Sequence, residues 1–218
     1  MSLDLEQHLT FYGAYHHNSV NVAIHMVCVP LILLSGFCMV RLIMSSPAYA
    51  CWRCSASAFS LELLLTFLQA TYTGTLIPTP SWITPPYLDL NLGVIGASLY
   101  SLLYLLLEPF AGFLLALFCM GGVALCNFLH QQNPDSTFQG ALAIHVVCWI
   151  FQFIGHGKYE GRAPALFDNL IQAIFLAPMF VWLEILFKFG YRPELRSRVN
   201  KKVQVEIEKF KSKNGKAQ

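Results

Sequence analysis

Apolar residues run along this chain in blocks too long and too unbroken for amphipathic soluble helices. A membrane span takes about 20 predominantly apolar residues, and windows of that length predict helices over 19–43, 56–77, 91–107, 110–129, 138–155 and 166–189. The second window is diluted by Thr71, Thr73, Gly74 and Thr75. Pro78, Pro80, Pro85 and Pro86 then force an extended loop, because proline lacks an amide donor and disfavours helix in the residue before it. Glu108-Pro109 predicts a tight hairpin between two short spans. Asn133-Pro134-Asp135-Ser136 predicts a turn, with Asp135 or Ser136 capping the helix that follows. No internal repeat is visible. The expected fold class is all-α: a multi-pass transmembrane helical bundle of about six hydrophobic helices.

Composition sharpens this picture. Of the 218 residues 56% are hydrophobic and 12% charged, and the mean hydropathy is +0.52. A soluble domain carries about 25% charge, so half of that leaves too little polar surface to coat a water-exposed globule. The charges are also segregated. Between Arg53 and Lys158 there is no Lys or Arg, and the acids there are Glu62, Asp89, Glu108 and Asp135. The first twenty residues lack a basic stretch leading into a short apolar core, so no cleavable signal peptide is expected. Targeting would fall to the first span, which suits the endoplasmic reticulum. Most of the seven cysteines lie inside apolar segments. Cys51-Trp52-Arg53-Cys54 is a lone C-x-x-C without a second pair, and reads as structural or free thiols rather than a zinc site.

Orientation follows from the end of the chain. Residues 190–218 hold Arg192, Arg196, Arg198, Lys201, Lys202, Lys209, Lys211, Lys213 and Lys216 against three acids. By the positive-inside rule this tail is cytosolic, and an even number of spans puts the N-terminus in the cytosol too. The expected organisation is a membrane-embedded domain over 1–190 and a basic cytosolic tail over 191–218. Directly after a span such a run anchors topology; no nucleic-acid partner is expected. Val203, Val205, Ile207 and Phe210 would let the tail lie on the lipid surface as a short helix.

The histidines are the unusual content. His16, His17 and His25 cluster around the first span, and His130, His145 and His156 around the fourth and fifth. Ionisable groups at membrane depth are costly and point to function. His17, Asn21 and His25 fall at i, i+4 and i+8, a drifting polar stripe. His145, Trp149, Gln152, His156 and Glu160 follow one another near one helix face, which must turn toward the bundle interior. Singly, each histidine reads as a hydrogen-bonded packing residue or an interfacial anchor. As a set, polar faces on two spans can meet, and neutral imidazoles suit iron or zinc. Residues 145 and 156 lie about 16 Å apart along a continuous helix at 1.5 Å per residue, so they share an ion only if the helix breaks. Gly155 and Gly157 make a break there plausible; His16 and His25 need one near Asn18-Ser19. His25 and His145 lie at matched depth and are expected to meet. In a six-span arrangement His156 falls on the opposite side from His16.

Tyr12-Gly13-Ala14-Tyr15-His16-His17-Asn18-Ser19-Val20-Asn21-Val22-Ala23-Ile24-His25, followed by Pro30, resembles the first signature of the fungal and plant 2-hydroxy-fatty-acid dioxygenase family. That family is named for converting phytosphingosine to odd-numbered fatty acids. The second signature is similar more fully: His145, Trp149, Gln152, Gly155, His156, Glu160, Pro164, Ala165 and Asn169, continuing to Ala177-Pro178. The resemblance spans residues 5–190; the stretch 45–90 and the tail carry little of it. It implies an endoplasmic-reticulum enzyme that uses Fe(2+) and O2 to shorten a 2-hydroxy long-chain fatty acid by one carbon, the carboxyl carbon leaving as CO2. It further implies His16, His25, His145 and His156 as iron ligands, with His17 in reserve. His17, Asn21, Gln152 and Glu160 would orient imidazoles or meet substrate, with membrane lipid as the surrounding partner. This is not the two-histidine, one-carboxylate pattern of soluble iron oxygenases unless Glu160 is a ligand. Two rival readings remain: a di-iron lipid hydroxylase, which would need denser histidine clusters than the adjacent His16-His17, and a non-catalytic lipid-binding or transport protein.

Overall fold

The structure, a computed structural model, describes residues 4–43, 85–161, 163 and 170–214. The expected helix over 56–77 lies outside these residues. All regular structure among the described residues is helical: α1 (Leu5–Tyr15), α2 (Ser19–Ile43), α3 (Leu92–Leu107), α4 (Pro109–Gln132), α5 (Pro134–Ile154), a π-helix (Gly155–Glu160), α6 (Leu170–Lys188) and α7 (Pro193–Asn214).

Local chemistry sets the boundaries. Asp4 Oδ1 accepts from the Gln7 amide (3.1 Å) and starts α1. Asn18 Oδ1 accepts from the Val20 amide (2.9 Å) and starts α2, and Asn91 Oδ1 does the same for α3 through Val94 (3.0 Å). Proline stands first in α4, α5 and α7, where its missing amide is no loss. The cap of α5 is Asn133, whose Oδ1 accepts from the Ser136 amide (3.1 Å), and not Asp135 or Ser136. With proline locked at the first helical position, the residue before it is left to cap.

Six spans are not recovered among the described residues. Among the described residues three helical segments are long and apolar enough to cross a membrane: Ser19–Met39, Pro109–Gln132 and Pro134–Glu160. A fourth arises only if Ile174–Lys188 and Pro193–Phe210, bent by 118°, count as one broken span. Leu92–Leu107 is apolar but shorter, about 24 Å at 1.5 Å per residue. Hydropathy alone does not separate such a helix from one that crosses.

The chain divides into two compact units. The first comprises Met1–Leu31, Leu103–Leu115 and Val147–Gln218. Its core is α6, where Leu176, Met179, Phe180, Val181 and Leu183 are almost wholly buried. The Glu108 hairpin is pinned to α6 by Tyr104 Oη donating to the Phe175 carbonyl (3.1 Å) and Trp182 Nε1 donating to the Ala111 carbonyl (3.1 Å). A Cβ on Gly112 would collide with the Tyr104 carbonyl, so the hairpin closes only over glycine. Buried Glu108 is matched by Arg192 and by Tyr191 Oη (2.7 Å). The tail helix α7 does not lie bare on lipid. Leu195, Val199, Val203 and Ile207 are buried, Val203 packing at Gly13 of α1, while Arg198 and Lys202 reach Glu6 (3.1 and 2.8 Å). Of the apolar residues expected at the surface, Val205 is exposed.

The second unit comprises Ile32–Leu102 and Ala116–Val146. Its described helix faces are apolar outside as well as in: Leu99, Leu102, Leu117, Leu125, Leu142 and Ile144 are exposed. Inside, Asn127 donates to the Tyr87 carbonyl (2.6 Å) and accepts from Asn91 Nδ2 (3.4 Å). Leu34 fills the space over Gly122. Helices apolar on both faces are compatible with a lipid surrounding.

Candidate metal centre

The first unit brings together three of the four histidines expected as ligands. His16 comes from the break after α1, His25 from the second turn of α2, and His156 from the π-helix. Their ring centroids form a near-equilateral triangle of 4.4, 4.7 and 4.9 Å, and one nitrogen from each lies within 4.8 Å of the others. Metal–imidazole bonds of about 2.1 Å allow two ligand nitrogens to stand at most about 4.2 Å apart, so a small contraction closes the set on one ion.

Backbone carbonyls have already chosen which nitrogen is free on two of the rings. His16 Nδ1 donates to the Tyr12 carbonyl and His25 Nδ1 to the Asn21 carbonyl, each at 2.9 Å and each one turn back along the chain. A ring that donates through Nδ1 keeps a lone pair on Nε2, the arrangement that orients metal-bound histidine. His16 Nε2 is buried with no hydrogen-bond partner, and so is Nδ1 of His156. Burial holds the His16 imidazole well below its ordinary value, reinforced by the neighbouring His25 and His156 rings. It is a neutral imidazole at physiological pH. These donors fit a divalent first-row ion.

Glu160 organises the three histidines from outside their cluster. Its Oε1 accepts from the His17 amide (3.1 Å) and pairs with His17 Nδ1; its Oε2 accepts from the Asn18 amide (3.1 Å) and from Asn21 Nδ2 (3.0 Å). Both oxygens are occupied at the start of α2, where exposed amides and the helix dipole favour an anion. One carboxylate thus joins the break that frees His16, the helix that carries His25 and the π-helix that carries His156. Gly155 lets those elements close: a Cβ there would run into Asn21 Oδ1 and stand 3.4 Å from Ile24. Asn21 is fully buried, and its Oδ1 has no partner among the described residues. Gln152, one turn before His156, is buried as well.

His145 is not in this group. It belongs to the second unit, where its Nδ1 lies 2.9 Å from Ser35 Oγ, and Ser35 Oγ also donates to the Ile32 carbonyl (3.1 Å). The partners grouped with His25 are His16 and His156, whereas the expectation paired it with His145. Depth along a helix ranks which residues can share a layer, but not which face they turn to a neighbour. The expected separation of His16 from His156 also fails, since it rested on six crossings. The two breaks do occur where the spacing required them: between Tyr15 and Ser19, and at Gly155, where α-helix passes into π-helix. Widening the turn at Gly155 rotates His156 relative to the face that His145 and Gln152 define.

One neighbour carried no role in the sequence reading. Tyr12 stacks on His16 with centroids 3.9 Å apart and planes 13° apart. The signal was there in the i, i+4 spacing to His16, which places both on one face of α1.

A family model described as 2-hydroxy-palmitic acid dioxygenase Mpo1-like matches residues 2–189. The chain is also 34% identical over 203 residues to the 2-hydroxy-palmitic acid dioxygenase MPO1 of Saccharomyces cerevisiae, an alignment covering 93% of this chain and 91% of the yeast protein. No solved structure matches the chain. With both matches running nearly end to end, the chain belongs to the Mpo1-like family.

Proposed function

We propose that this protein is an Fe(2+)-dependent dioxygenase of the endoplasmic-reticulum membrane that converts a 2-hydroxy long-chain fatty acid and O2 into the acid one carbon shorter, CO2 and water. The carrying observation is the trio His16, His25 and His156, with its ligand nitrogens within 4.8 Å. Iron bound there supplies open positions at which O2 and the oxygens of a 2-hydroxy acid can be held together. The protein's own part is to keep three neutral imidazoles aimed at one point: the Tyr12 and Asn21 carbonyls fix two tautomers, and Glu160 fixes the three segments. The trio, rather than a set including His145, is the proposed ligand set. Glu160 acts as a clamp and not as a ligand, because both its oxygens already hold hydrogen bonds. His17 and Asn21 act through that clamp, and Gln152 lies on the approach to His156.

The exposed apolar faces of α4 and α5 suit an acyl chain arriving from the bilayer, with Phe151, Phe153 and Ile154 leading toward His156 along the chain. The basic tail favours a cytosolic position for both chain ends, a reading supported by the packing of α7 against α1. A single group of this kind among the described residues favours one ion per chain over the two of a di-iron hydroxylase.

The test is removal and return of metal. Chelation should abolish consumption of 2-hydroxyhexadecanoic acid by purified protein, and Fe(2+) should restore it where Zn(2+) does not. Undiminished turnover in protein shown to be metal-free would overturn the proposal.

A further inference from the structure

The centre leaves one buried donor beside it unused. Tyr12 is 5% exposed; its ring lies flat on His16 and against Phe180, with centroids 3.9 and 4.7 Å away. Those contacts account for the ring. They do not account for the oxygen, which is closed off from solvent with no hydrogen-bond partner among the described residues. A buried hydroxyl without a partner opposes folding, and phenylalanine would make the same stack without that burden. The neighbouring orphans point to what the hydroxyl awaits. His16 Nε2 and His156 Nδ1 are lone-pair positions that an ion satisfies. A phenol at neutral pH offers a hydrogen, and its complement is an acceptor brought in from outside.

A 2-hydroxy acid held at the centre brings such an acceptor. Its carboxylate is the strongest acceptor it carries, and charge-assisted hydrogen bonds are the shorter and stronger kind. Building on the function proposed above, we propose that Tyr12 donates its phenolic hydrogen to a carboxylate oxygen of the substrate and so positions the carboxyl end that is to be lost. The stack on His16 gives this role its geometry. The stack fixes the ring beside the imidazole, and with it the bearing of the hydroxyl on an ion held by His16. Specificity follows: the site reads a carboxylate next to the 2-hydroxyl, and a 1,2-diol of the same chain length lacks what Tyr12 recognises.

Tyr12→Phe isolates the oxygen, because the ring and its stack remain, and Tyr12→Leu removes both. Three readings are taken on detergent-purified protein: metal per chain, anaerobic affinity of the Fe(2+)-loaded protein for 2-hydroxyhexadecanoic acid and for hexadecane-1,2-diol, and KM and kcat in air. Tyr12→Phe should keep the metal and melt no lower than the parent. It should bind the acid about tenfold more weakly while binding the diol unchanged, and raise KM more than it lowers kcat. Parental affinity for the acid in Tyr12→Phe overturns the proposal, because a purely structural ring is rescued by phenylalanine. So does loss of metal in Tyr12→Phe, which would assign the hydroxyl to the ion. Equal weakening for acid and diol overturns it as well. A parent protein that neither binds nor consumes the acid instead overturns the reading of the centre, and Tyr12's role with it.

Discussion

His145 and His156 lie eleven residues apart on one run of helix, yet their rings meet opposite fates in the two units. In the second unit His145 finds Ser35 Oγ at 2.9 Å and is a polar pair inside an apolar bundle. In the first unit His156 is buried with an empty Nδ1, facing two more imidazoles. A histidine in an apolar helix carries little meaning until each nitrogen is accounted for. One that has found a hydroxyl is spoken for. Three that converge with lone pairs unspent form a place for a cation.

Histidine replacement is the strongest way to break that comparison. His16→Ala, His25→Ala or His156→Ala should each lose bound iron and more than about 100-fold of turnover, a ligand being worth at least as much as the outer partners whose loss costs 10–100-fold. His145→Ala should keep iron at the parental ratio. Iron lost as fully from His145→Ala as from His25→Ala would erase the distinction.

A smaller effect is expected one layer out. Glu160→Gln keeps the shape but weakens four contacts at once, and should cost about 10–100-fold in iron affinity or turnover. Gly155→Ala sharpens the same point by sterics. Its Cβ runs into Asn21 Oδ1, which should cost about 1–3 kcal/mol of stability and loosen iron binding in a dialysis assay. Ser35→Ala, in the other unit, should cost about 1 kcal/mol and leave iron untouched; a loss of metal there would tie the second unit to the centre.

The smallest effect concerns the clasp between α1 and α7. Hydrogen bonds from Lys202 and Arg198 hold the Glu6 carboxyl below its ordinary value of 4.5. Its folded-state pKa is depressed, so its contribution is complete above that ordinary value and fades as the pH falls through the lower folded one. Limited proteolysis of α7 should accelerate in acid, and Glu6→Gln should show the acid rate already at neutral pH. An identical pH profile in Glu6→Gln would remove Glu6 from the clasp.

Much of this was legible in the residues. The first helix of the bundle runs from Ser19 to Ile43 as its apolar run predicts, and the breaks at Asn18 and Gly155 follow from asking how His16 and His156 could reach anything. The trio itself was hidden. Choosing among four histidines requires knowing that Ser35 lies opposite His145, a contact 110 residues apart in sequence. The role of Glu160 was hidden for the same reason, because its partners are amides, and every residue but proline has one. Span count was legible only in part: three described segments are long and apolar enough to cross, and a fourth if the bent pair of α6 and α7 counts as one. Apolarity tells which segments tolerate lipid, but burial against protein, as at Leu176–Leu183 of α6, asks for the same residues.

Glu160 touches the amides of His17 and Asn18, and Glu6 touches Arg198 and Lys202. Each contact ties the chain into a ring, and a ring threaded through a bilayer must pass through it an even number of times. Asn18 and Glu160 therefore stand at one depth, and Glu6 and Arg198 at another shared depth, however many times the chain between them crosses. The start of α2 and the end of the π-helix meet at a single level, and so do the first and last helices.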